Sequence, residues 1–256
     1  MSIFNKVLAS VGIGAATVDT KLDSSRYTAG DVIRGNVEIM GGNVEQNIDA
    51  IYLTLYTTYI READDKKYTD HAAITKFKVN EPFVIGAGER KSIPFSFNLP
   101  YTTPVTSGKT RVWVQTGLDI KMAVDPSDKD YIEVKAAPLA NEVLRAVEAL
   151  GFRLKKVDCE TAPKRFHTPH VFIQEFEFAA TNPAYRSRLD ELEVTFLNQS
   201  SGSVEVLLQI DRRARGLASF LSEALEMDES FVRLTFTDRD IPMMQSTIKQ
   251  AIERNI

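Results

Sequence analysis

Few side chains in this sequence are placed to do chemistry. Its three histidines are His71, His167 and His170. The run His167-Thr168-Pro169-His170 brings two imidazoles close together, but Pro169 prevents the helical turn that would set them on one face. No cysteine accompanies them, and a metal site needs three or four converging ligands. The run therefore reads as a turn with exposed histidines. His71 follows the polar stretch Asp64 to Asp70 and reads as a solvated loop residue. The lone cysteine, Cys159, cannot form an internal bridge, which favours a reducing compartment. It reads as a small core residue, because reactive thiols need electropositive or metal-rich surroundings. Gly-x-Ser-x-Gly, the elbow of a serine nucleophile, does not occur. Gly12-Ile13-Gly14-Ala15-Ala16-Thr17 opens like a dinucleotide loop but has Thr17 at the third glycine, with no strand before it and no helix after. Gly108-Lys109-Thr110 lacks the upstream glycine of a phosphate loop. No cofactor and no metal is expected.

Charged side chains offer two further readings. Glu175/Glu177, Glu191/Glu193 and Asp238/Asp240 are i, i+2 pairs that share a face wherever they lie on strands. Such carboxylates are ordinarily the wet side of a sheet. They also keep open a β-sandwich carbohydrate-binding module or hydrolase that uses Glu175 and Glu177. Arg212, Arg213 and Arg215 follow a strand ending at Ile210. With Arg153, Lys155, Lys156 and Lys164-Arg165 they could form a positive patch for an acidic or phosphorylated segment, or simply a solvated rim. Along the chain, aromatic interleaving of the kind found on RNA-binding sheets is not evident.

The 256 residues are 43% hydrophobic and 26% charged, an ordinary globular balance. It excludes a disordered chain, a collagen-like polymer and a disulfide-stapled mini-protein. With 31 basic and 35 acidic residues the net charge is −4, so no bulk field draws the chain to nucleic acid or anionic membrane. No run reaches the ~20 apolar residues of a membrane span. Leu8 to Val18 only superficially imitates a signal peptide, since Ser10, Gly12, Gly14 and Thr17 interrupt it. It reads as a short helix with Ile3, Phe4, Val7, Leu8 and Val11 on one face. A cytoplasmic protein is expected.

The dominant period is two. Ile33, Gly35, Val37 and Ile39 alternate with polar neighbours, as do Ile51, Leu53 and Leu55, then Ile93, Phe95, Phe97 and Leu99, then Val112 through Val124. Pro94 restricts its strand to an edge or a bulge. Turn chemistry at Gly30-Asp31, Gly41-Gly42-Asn43, Gly86-Ala87-Gly88 and Asp125 to Asp128 separates about seven strands, as in a β-sandwich. Pro138 to Leu150 then takes helical spacing through Leu139, Val143, Leu144 and Val147, with Gly151 as its stop. Alternation resumes at Phe172 to Phe178, Leu192 to Phe196, Val204 to Ile210 and Val232 to Phe236, which predicts a second sandwich. Leu217, Phe220, Leu221, Ala224 and Leu225 suggest a helical insertion in it. A closing helix begins near Asp240 and Pro242. Its stripe of Met244, Ile248 and Ile252 docks on its own domain or on a partner chain, a second copy included.

Particular stretches carry a resemblance. Tyr27-Thr28-Ala29-Gly30-Asp31-Val32-Ile33-Arg34-Gly35-Asn36-Val37 resembles the G-D-x-[VI]-x-G-x-[VI] turn and second strand of arrestin-like N-terminal domains. Ile93 to Pro100 resembles the strand hydrophobic-P-F-x-[FL]-x-[LI]-P of that family, and Arg111 to Ile120 the long strand after it. From Ser2-Ile3-Phe4-Asn5-Lys6, through Asp19 to Leu22, to the D-P-x-D-x-D-x-[IL]-x-V segment at Asp125 to Val134, the chain is similar to the sporulation-control arrestin-like proteins of spore-forming bacteria. The resemblance implies an all-β fold of two arrestin-like β-sandwich domains, at 1–137 and 152–256, with a connector helix at 138–151 and short terminal helices. It also implies a soluble, non-enzymatic protein of early sporulation control. The broad faces and edges of two joined sheets suggest an adaptor acting on other proteins, with self-association to a dimer through an edge or the Met244, Ile248 and Ile252 stripe among the options. Nucleic acid and an integral membrane segment are not expected. The residues put forward for partner binding are Arg212, Arg213, Arg215, Met244, Ile248 and Ile252.

Overall fold

Alternation of apolar and polar side chains builds the first half. The structure is a computed structural model that describes residues 15–64, 66–120, 126–166, 168–212 and 229–256. Its first strands are β1 (Thr17–Leu22), β2 (Arg26–Thr28), β3 (Val32–Met40), β4 (Gln46–Ala63) and β5 (Lys66–Lys78). They are followed by β6 (Phe83–Ile85), β7 (Arg90–Asn98), β8 (Val112–Ile120) and β9 (Ser127–Lys135). A three-stranded sheet in the order β1-β3-β7 packs on the strands around β4, β8 and β9. Ile33, Val37 and Ile39 from β3 meet Ile51, Leu53 and Leu55 from β4 and Val112, Val114 and Leu118 from β8 in one apolar core. Pro94 lies on β7, an edge strand, where a missing N–H is tolerated.

Two glycines of the Gly30 to Gly35 turn are there for steric reasons. Gly30 has φ +99°, and a Cβ on it would sit 2.6 Å from the Tyr101 ring. A Cβ on Gly35 would fall 2.2 Å from the Lys21 carbonyl oxygen, because the end of β1 lies against β3 there, with Leu22 opposite Gly35. Asp31 fixes the reversal by accepting a hydrogen bond from the Thr28 N–H at 2.6 Å.

The second half reaches a closed core by different layering. After helix α1 (Pro138–Ala149) come β10 (Phe152–Thr161), β11 (Phe172–Ala180), a one-turn helix α2 (Pro183–Arg186), β12 (Leu189–Gln199), β13 (Ser203–Arg212), β14 (Glu229–Thr237) and helix α3 (Ile241–Glu253). Among the described residues these five strands form one antiparallel run, and α1 and α3 occupy the layer a second sheet would fill. Phe176, Phe178, Val194, Val206 and Leu208 pack from the sheet against Val143, Val147, Met244, Ile248 and Ile252 from the helices. Burying two apolar helix stripes on one curled sheet satisfies the same demand as a sandwich. Residues 1–14 and 213–228 lie outside the described residues, and with them the expected helices at Ile3 to Val11 and Leu217 to Leu225. The continuation of β8 through Met122 and Val124 lies outside them too.

The halves share a sheet. β10 joins β4 in parallel at Glu160 and Ile60, so a path of hydrogen-bonded strands runs β14-β13-β12-β11-β10-β4-β8-β9-β2. Around this bridge the Gln174 side-chain amide behaves like a piece of strand. Its Oε1 accepts from the Val105 N–H at 2.7 Å, and its Nε2 donates to the Val105 carbonyl at 2.8 Å. Ala140 of α1 belongs to the first core, while Leu139 and Val143 belong to the second, so the connector packs on both.

One acid is buried at a cost. Asp130 faces inward opposite Val114, and its Oδ2 is buried without a hydrogen-bond partner. Burial, with Asp128 and then Asp19 adding repulsion, pushes its carboxyl up to about 6. The folded chain therefore binds this proton more tightly than the unfolded one, and stability falls as pH rises from about 4 to about 6. Asp130→Asn is expected to gain about 1–2 kcal/mol at about pH 7.5 and almost nothing at about pH 4, read by urea titration at both pH values; the figure is discounted for partial exposure. Gln174→Ala strands the Val105 N–H and carbonyl and is expected to cost about 2 kcal/mol in the same titration.

Candidate interaction site

Several residues singled out in the sequence are spoken for by the fold. Met244, Ile248 and Ile252 are 1%, 0% and 0% exposed, so this stripe is closed by its own chain and not open to a partner. The cause is α1, which lies against α3 and completes the second core. The Arg212 backbone ends β13, paired with Leu189, while Arg213 and Arg215 lie outside the described residues. The neighbouring basic residues are partly neutralised in place. Lys155 binds Glu177 and also Glu191 at 3.3 Å, and Lys156 binds Asp158. These hydrogen bonds raise both ammonium groups above their usual range.

Glu175 and Glu177 stand on the side of β11 away from the core, and neither lines a described cavity. Burial raises the Glu175 carboxyl. Burial also opposes ionisation of Glu177, but the hydrogen bond from the Lys155 ammonium and the positive charges of Lys155 and Lys156 outweigh it and hold that carboxyl low. Cys159 is 3% exposed, and its burial, with Glu160 and Asp158 nearby, drives the thiol far above its ordinary range. It is a core residue. Among the described residues no group of three or more His, Cys, Asp and Glu side chains could hold a metal ion.

Of the described histidines, His170 is less exposed than expected and His71 lies on a strand. His170 is half-buried at the seam between the halves, stacked on Phe172 at 5.0 Å and hydrogen-bonded through Nε2 to the Thr102 hydroxyl at 2.9 Å. Burial lowers its pKa. His167 lies outside the described residues. His71 is on strand β5, not in a loop, because the polar run after Asp64 turns back and pairs with β4. Its ring meets Tyr56 at 5.8 Å and Trp113 at 6.1 Å.

That contact opens onto a surface invisible in local sequence. Strands β5, β4, β8 and β9 lie side by side, and their residues opposite the core form aligned rows. Tyr56, Trp113 and Tyr131 face one another directly across β4, β8 and β9. Tyr56 stacks on Trp113 at 5.4 Å, and Trp113 meets Tyr131 at 5.9 Å. The next row is Lys76, Thr54, Gln115 and Lys129, and the one after it Lys78, Tyr52, Gly117 and Ser127. Lys76 Nζ lies 3.8 Å from the centroid of the Tyr52 ring. Lys129 Nζ lies 3.9 Å from that of Trp113 and 4.9 Å from that of Tyr131. A hollow of about 240 Å³ opens between Tyr52, Tyr56, Lys76, Gln115, Gly117 and Asp119. The face offers cations, aromatic rings and amide groups, which are groups suited to binding.

The SpoOM protein family model matches residues 4–214. The sporulation-control protein spo0M of Bacillus subtilis (strain 168) is 45% identical over 241 residues, which is 94% of this chain and 93% of that protein. The crystal structure of Spo0M, sporulation control protein, from Bacillus subtilis superposes with a TM-score of 0.84 at 40% identity, over 95% of this chain and all of that one. The agreement extends through both halves and the sheet that joins them, and the chain belongs to the SpoOM protein family.

Proposed function

We propose that this chain is a non-enzymatic adaptor in sporulation control that works by contact with other proteins. The observation that carries this reading is the outer face of β5, β4, β8 and β9. It displays Lys76 at the rim of a hollow, with Lys129 and Tyr131 on the adjoining strand β9, while both interiors are filled with aliphatic and aromatic side chains. Membership of a sporulation-control family supplies the process. An arrestin-like description accords with the two-layered first half and with the Gly30 to Gly35 turn that shapes it. No helix among the described residues is long and apolar enough to cross a membrane.

Interfaces of this kind depend on a few aromatic and charged anchors, so removing them disables binding without disturbing the core. In a spore-forming strain lacking its own copy, the wild-type chain is expected to restore the normal sporulation frequency. The double variant Lys129→Ala/Tyr131→Ala, with an unchanged melting temperature, is expected to behave as the empty strain. Glu175→Gln/Glu177→Gln is expected to behave as wild type. The opposite pattern would transfer the function to the carboxylates and revive a hydrolase.

A further inference from the structure

We infer that the lysine–aromatic face takes an extended acidic segment of a partner protein, laid over the hollow above Gly117 with its carboxylates on Lys76 and Lys129. The inference rests on the adaptor reading and names the chemistry of the partner.

Charge complementarity is the first support. Lys76 and Lys129 end one straight row across four strands, about three strand spacings or ~14 Å apart at the backbone. Both heads lean inward over rings of the neighbouring strand. Neither they nor Lys78 makes an ion pair among the described residues, whereas Lys67, Lys155, Lys156 and Lys249 each do. An ammonium resting on a ring has lost water on one side and keeps N–H donors on the other, so a carboxylate arriving from solvent completes its coordination. Asp119 borders the same hollow, so carboxylates are repelled at that end, which fixes where the segment's acids can lie.

The state of the rings selects among anionic and neutral ligands. Bases and sugars dock by stacking on an open aromatic face. Here Trp113 is 4% exposed, covered by Tyr56 on one side and Lys129 on the other. Tyr52 is capped by Lys76. Over Trp113 and Tyr52 the surface presents the cation above the ring, and beside the open Tyr131 ring, 56% exposed, it presents Lys129 again, an arrangement that suits a flexible carboxylate-bearing chain better than a nucleobase or a pyranose. The hollow has room because position 117 has no side chain, and a Cβ built there meets nothing within 4 Å.

The test is fluorescence anisotropy with the full chain and a labelled peptide alternating glutamate with serine. The same peptide with glutamine in place of glutamate is the control, alongside oligouridylate RNA and phosphatidylglycerol vesicles. The glutamate peptide is expected to bind with salt-sensitive affinity, and the glutamine peptide about tenfold more weakly or worse. Lys76→Ala/Lys129→Ala should weaken the glutamate peptide by about tenfold, and Gly117→Leu should do the same by filling the hollow with the fold intact. Equal binding of both peptides, insensitivity to these variants, preference for RNA or vesicles, or no peptide binding at all would each overturn the acidic-segment inference. If the peptide fails while Lys129→Ala/Tyr131→Ala still abolishes sporulation rescue, the adaptor reading stands and only the acidic partner is lost. If both fail, the face has no role.

Discussion

The seam between β4 and β10 is the constraint on which this architecture depends. A sheet edge exposes unpaired N–H and carbonyl groups, and two independent halves would each carry open edges there. Here the edge of one half is spent on the other. Among the described residues the strand pairing across the seam is the parallel bridge at Glu160 and Ile60, so much of the joining falls to side chains. Gln174 imitates a peptide group toward Val105, His170 reaches Thr102, and Phe196 touches both apolar cores. Together these fix how the outer face of the first half is set relative to the second.

Much of this could be read directly from the chain. Strands β3, β4, β7 and β8 show clean alternation because each has one face in a core and one in water, and local sequence records that difference. Helix α1 was legible from Pro138, its apolar stripe and Gly151, and α3 from its own stripe. Family membership was legible from the motifs at Gly30 to Gly35, Ile93 to Pro100 and Asp125 to Val134.

Other features depend on long-range register, which no local window contains. Tyr56, Trp113 and Tyr131 become one aromatic row only after three strands are aligned. Strand β5 was hidden because Lys66 to His71 is polar on both faces, so it resembles a loop until it pairs with β4. The layering of the second half was hidden for another reason. Alternating strands show that an apolar partner layer exists, but not whether that layer is a sheet or a pair of helices. The stripe of Met244, Ile248 and Ile252 was read correctly as apolar, yet its covering by α1 is a tertiary fact.

Cys159 carries a consequence for signalling. A thiol this deeply enclosed and this reluctant to ionise offers no handle to peroxide, nitrosating agents or electrophilic metabolites. Redox stress has no direct covalent entry through it, and an oxidant arriving from solvent meets the exposed Met243 thioether instead.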